Sequence, residues 1–127
     1  MTLRECIRRA EQLLPGKPAA EGQGDPRWQA FIAIGEFVED EPEEVWDFTR
    51  RWGAHPDPDL RAAIATCLLE HLLEHHFEVM LPKIERAIRE DPQFVETVRM
   101  CWAGGQAESP RNAARLAQLV AGAKRAS

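Results

Sequence analysis

Five consecutive residues carry the most specific chemistry in this chain: His71-Leu72-Leu73-Glu74-His75. On a helix, two imidazoles four residues apart lie one above the other. They can share one divalent cation while the carboxylate between them activates a bound water, which is the chemistry of a metal-dependent hydrolase. Such a site needs a further protein ligand, and a rather short stretch follows His75. His71 also lies in line with Leu60, Ile64 and Cys67, as a histidine at the edge of a packed helix face would. That packing is the preferred reading, so no metal and no cofactor are expected. Cys67 stands one turn before His71, a possible thiol–imidazole pair, but an apolar face keeps a thiol protonated and inert.

A second constellation is Trp46-Asp47 followed by Arg50 and Arg51. They are an aromatic ring, a carboxylate and two cations within two turns of one helix. Trp46 stands about 100° around its helix from the apolar stripe of Val45, Phe48, Thr49 and Trp52. The preferred reading packs the Trp46 ring on Arg50, one turn later, at a helix interface. No glycine-rich phosphate loop follows a strand, and no serine is placed as a nucleophile: Ser109 reads as a helix cap and Ser127 is the last residue. An enzyme is therefore the less favoured expectation.

Charge is unevenly spread. Residues 25–41 set Arg27 against Asp25, Glu36, Glu39, Asp40 and Glu41, and residues 57–76 set Arg61 against Asp57, Asp59, Glu70 and Glu74. Residues 109–127 hold Arg111, Arg115, Lys124 and Arg125 with no acid. A partner surface built from Glu36, Glu39, Asp40, Glu70 and Glu74 is expected, facing a basic protein segment. The net charge of −5 weighs against a general nucleic-acid binder, which needs cationic surface to displace counterions.

The elements that hold these residues are helices. Proline fits the first helical turn, where its missing N–H would have no partner, and a preceding Asp or Ser caps the free donors. Asp25-Pro26, Asp57-Pro58, Asp91-Pro92 and Ser109-Pro110 have this form, with Glu41-Pro42 a weaker case and Thr2 to Glu5 a capping box. Seven helices are predicted, at 2–14, 25–40, 42–54, 57–76, 77–90, 91–104 and 109–125, with a loop at 15–24 and a helix stop at Gly104-Gly105. Trp28, Phe31, Ile32, Gly35 and Val38 form one apolar face; Phe77, Met80, Leu81, Ile84 and Ile88 form another. Residues 57–76 are apolar nearly all round, which places that helix at the centre. No window alternates with period two over strand length. No apolar run approaches a membrane span. Three widely spaced cysteines, Cys6, Cys67 and Cys101, suit a reduced, cytoplasmic setting as small apolar fillers.

The Asp-Pro starts at 25, 57 and 91 are 32 and 34 residues apart, with Trp28, Leu60 and Phe94 at one shared offset and Ile32, Ile64 and Val98 at another. Such a period marks helical repeats, whose units stack because one helix pair cannot bury its own apolar face. Asp57-Pro58-Asp59-Leu60-Arg61-Ala62-Ala63-Ile64 resembles the turn and inner-helix opening of HEAT repeats, and Met80-Leu81-Pro82-Lys83-Ile84, leading to Asp91-Pro92, resembles the outer helix and next turn. The resemblance covers residues 25 to about 103, departing where Val95 aligns with Arg61. It implies one all-α domain over residues 1–127, a right-handed stack of antiparallel helix pairs capped by residues 109–127. It also implies a distant similarity to the HEAT-like alkylation-repair glycosylases, whose pocket residue types Trp46, Asp47, Arg50 and Arg51 supply. The expected function is a small interaction module binding a protein or peptide through its acidic inner face. The alternatives are a nucleic-acid-associated protein of the repair type and a hydrolase using His71, Glu74 and His75.

Overall fold

The computed structural model describes residues 1–16 and 24–126, and every regular element among them is helical. The α-helical segments are α1 (Leu3–Leu13), α2 (Pro26–Gly35), α3 (Pro42–Trp52), α4 (Pro58–Ile64), α5 (Glu70–Glu90), α6 (Phe94–Arg99) and α7 (Pro110–Ala126). A π-helical turn, Ala65–Leu69, joins α4 to α5 without a break, and a 3₁₀ turn, Gly105–Glu108, precedes α7. Among the described residues the separate helices thus number six rather than the expected seven. Residues 57–76 and 77–90 form one continuous path, and the backbone leaves helical geometry at His76 (φ −139°, ψ 45°), at the boundary expected between them.

Local chemistry sets the helix starts. The Asp25 carboxylate accepts from the Arg27 N–H at 2.9 Å and Asp57 from the Asp59 N–H at 3.0 Å, each with proline as the first helical residue. Ser109 Oγ accepts from the Asn112 N–H at 3.2 Å, and Thr2 exchanges hydrogen bonds with Glu5. Glu41 offers α3 no side-chain cap. Asp91 also caps, accepting from the Gln93 N–H at 3.2 Å, but α6 begins only at Phe94 and stops at Arg99. The expected helix 91–104 is therefore a turn, a short helix and an irregular stretch. α2 likewise stops at Gly35, and turns carry the chain to residue 40. Within the predicted loop 15–24, residues 17–23 lie outside the described residues.

The path from α4 through the π turn into α5 is the centre, with Leu60, Ile64, Leu68, Leu69, Leu72 and Leu73 all buried. Each such side chain contributes roughly 1.5–3 kcal/mol by leaving water. α2, α3 and α6 pack around this path, α1 covers α2, and α7 rests on α5, α6 and the 3₁₀ turn. A π turn adds a residue to the helical circuit, so the face beyond it is rotated by about 100° from where uniform periodicity puts it.

The bend at His76 frees backbone groups, and Gln106 of the 3₁₀ turn takes them up. Its Nε2 donates to the His75 carbonyl at 2.9 Å, while its Oε1 accepts from the Phe77 N–H at 2.9 Å. His76 Nε2 lies 3.0 Å from the Val38 carbonyl oxygen, tying the bend to the turn after α2. Gly105 (φ +55°) lets the chain run this close: a Cβ there would stand 2.3 Å from Glu74 Cγ. A second brace is ionic. The buried Arg27 guanidinium meets Asp59 at 2.6 Å and Asp25 at 3.0 Å, and donates to the Pro15 carbonyl at 2.8 Å. The hydrogen bond to Asp25 leads in raising the Arg27 pKa further above its ordinary value.

Candidate partner-binding groove

The end of α2 and the turn after it lie across the π turn and the first turns of α5. A groove of about 320 Å³ opens between them. Gly35 sets the spacing, since a Cβ there would be 2.8 Å from the Cys67 carbonyl oxygen. Glu36 and Glu39 line one side, and His71 and His75 the other. Ile32 lines the groove as well and is 55% exposed, contrary to its expected place in a buried face. The buried stripe of α2 is Arg27, Ala30, Phe31 and Ile34. That stripe also has helical spacing, but it begins with a cation, which disguised it.

A line of alternating carboxylates and imidazoles crosses the groove. His75 Nδ1 is 3.2 Å from Glu39 Oε1, and its Nε2 is 3.4 Å from Glu74 Oε1. The other oxygen of Glu74 is 3.6 Å from His71 Nδ1. Of the five acids expected to form one surface, the fold thus gathers Glu36, Glu39 and Glu74. Asp40 is exposed one residue beyond Glu39. Glu70 points elsewhere, its Oε2 accepting from the Trp102 N–H at 3.2 Å.

His71 and His75 are partly exposed on this groove rather than packed in the core. His71 leaves the line of Leu60 and Ile64 because the π turn intervenes. Among the described residues, no group of three or more His, Cys, Asp or Glu side chains is arranged to hold a metal ion. Burial raises the thiol pKa of Cys67, and of Cys101 still further, so both are poor nucleophiles at neutral pH.

The second constellation is dispersed. Trp46 is only 7% exposed, and its ring stands edge-on to Phe94 with centroids 5.8 Å apart. Arg50 does not stack on Trp46 as expected; its guanidinium lies over the Phe94 ring, 5.8 Å from the centroid. Asp47 is exposed, and Arg51 pairs with Glu11 at 3.1 Å. Trp46 is off the apolar stripe of α3 taken alone, but Phe94 of α6 covers that side.

Three structural residues escaped the sequence reading: Gln106 at the bend, Arg27 in its ion cluster, and Trp102, which is 76% exposed. A glutamine following two glycines carries no distinctive signal, and its partners are some 30 residues away in the chain. No helix among the described residues is long and apolar enough to cross a membrane. Comparison with family models, with curated proteins and with solved structures finds no match to this chain.

Proposed function

We propose that this chain is a small interaction module that seats a basic segment of a protein partner in the groove between α2 and α5. The observation that carries the reading is the exposed Ile32 sharing one groove with Glu36 and Glu39. A lysine or arginine side chain is an apolar stem with a charged head, and this surface offers a place for each. Asp40 extends the acidic rim. Glu74 acts from behind, holding the His75 imidazole that meets Glu39, and Glu70 anchors the neighbouring loop. The packing of α1 on α2, α3 on α4 and α5 on α6 supports reading the chain as a HEAT-like stack of helix pairs. On that reading the groove belongs to the inner face, and the free cysteines suit a cytoplasmic setting.

The test compares wild type with two variants, Glu36→Gln/Glu39→Gln and Ile32→Ser, in capturing partners from an extract of the native host. Both variants should keep the wild-type unfolding temperature, because the altered residues lie on the surface. Capture of a Lys/Arg-rich partner should fall in both and weaken with salt, as expected when the Debye length is only about 8 Å at physiological ionic strength. Undiminished capture by the double variant, or tight wild-type binding to DNA or RNA at physiological salt, would refute the proposal.

A further inference from the structure

We infer that His75 is a built-in counter-ion which, on protonation, takes Glu39 from the partner, so that the groove between α2 and α5 releases a basic segment as pH falls. The inference rests on the reading of this groove as the seat of such a segment, and adds the signal that empties it. His75 directs Nδ1 to Glu39 Oε1 at 3.2 Å and Nε2 to Glu74 Oε1 at 3.4 Å. A neutral imidazole has one N–H, so it donates to one of these carboxylates and turns a lone pair toward the other. Only the imidazolium has an N–H for each. The backbone beneath the ring is fixed on both sides. Gln106 donates to the His75 carbonyl at 2.9 Å, and His76 Nε2 lies 3.0 Å from the Val38 carbonyl oxygen.

The surroundings leave this role to His75. Glu36 and Glu39 line the groove from the end of α2 and the turn after it, with Asp40 exposed beyond, and Cys67 lines it from the π turn. On α5 itself stand His71 and Glu74, and His71 meets the other oxygen of Glu74 at 3.6 Å. Glu70 is turned to the Trp102 loop, and the 3₁₀ turn sets the uncharged Gln106 against the backbone. Among the described residues no lysine or arginine lines the groove. Imidazole gains its charge between about pH 8 and 5. With the ring neutral, Glu39 keeps its full charge for the partner's cation, and its side chain is 69% exposed to receive it. With the ring protonated, Glu39 is neutralised from within the protein, and the partner's lysine or arginine must displace an ion pair already made.

Octa-arginine is the probe, because arginine keeps its charge throughout and any pH dependence then belongs to the protein. Calorimetry at constant ionic strength should show wild-type binding about fivefold weaker at about pH 5.5 than at about pH 8, the upper end for one exposed ion pair. His75→Gln should bind at both pH values as the wild type does at the higher one. His75→Lys, a fixed cation at the same place, should bind weakly at both, and His71→Gln should keep most of the wild-type pH dependence. Without peptide, the side-chain carboxyl carbon signals of Glu39 and Glu74 should step together over this pH range in the wild type and lose that shared step in His75→Gln. Absence of the shared step, affinity that does not fall with pH, or a pH dependence that survives in His75→Gln overturns the inference. A shared step with no wild-type binding at the higher pH, or with binding undiminished in Glu36→Gln/Glu39→Gln, overturns instead the reading of the groove, and the release with it.

Discussion

Replacing Arg27 by Met should destabilise the protein more than a typical charged-residue substitution, and the structure sets the size. The Arg27 side chain is 4% exposed and sits among Asp25, Asp57 and Asp59 at 3.0, 3.9 and 2.6 Å. Removing one partner of a buried ion pair costs about 3–5 kcal/mol, because the other charge is left without compensation. Here Asp57 and Asp59 are 30% and 42% exposed, so water recovers part of the loss. The lower end, about 3 kcal/mol, is expected. For a domain of this size each kcal/mol moves the unfolding midpoint by roughly 4 °C, giving about 12 °C in all. Urea titration at neutral pH measures the free energy, and calorimetry the midpoint. Arg27→Lys should recover only part of the loss, since an ammonium cannot make the forked contact with Asp25 that Nε and Nη2 make together. In a double-mutant cycle, Arg27→Met and Asp59→Asn should be clearly non-additive. If Arg27→Met unfolds within about 0.5 kcal/mol of wild type, as an ordinary surface substitution does, Arg27 is not the brace argued for here.

Two other predictions concern the interior. Gly53→Ala should destabilise by about 1–3 kcal/mol, because the new Cβ would lie 2.6 Å from the Thr49 carbonyl oxygen and 2.7 Å from Phe94 Cε2; an alanine variant as stable as wild type in urea titration would show that the end of α3 and Phe94 both give way freely. Burial raises the thiol pKa of Cys67 and Cys101, so thiolate is scarce at neutral pH and forms only as pH climbs toward the raised values. An aromatic disulfide reagent should therefore label these two thiols in native protein far more slowly at pH 7 than in urea, and faster as pH rises. Native labelling at the rate of a free cysteine would contradict the burial.

Residues that act on near neighbours in the chain were legible in the sequence. Asp25, Asp57 and Ser109 cap the helices that Pro26, Pro58 and Pro110 open, because a cap needs only backbone donors two or three residues away. The central helix was legible for the same reason: apolar residues from Leu60 to Leu73 cover most of its circumference, and Leu60, Ile64, Leu68 and Leu72 are all buried. Tertiary contacts decided the rest. The π turn shifts the phase of everything after Ala65, so His71 reaches a groove that a uniform helix would have denied it. Phe94, from another helix, covers Trp46, and Arg27 enters the core because Asp59, distant in sequence, meets it there. The bend at His76 persists because Gln106 offers both a donor and an acceptor across it. Among the acids, composition fixed their excess, but the turn after Gly35 put Glu36 and Glu39 beside His75 and left Glu70 to the Trp102 loop. Periodicity describes one helix in isolation; which of its sides is buried, and which charges meet, depends on the neighbours that close over it.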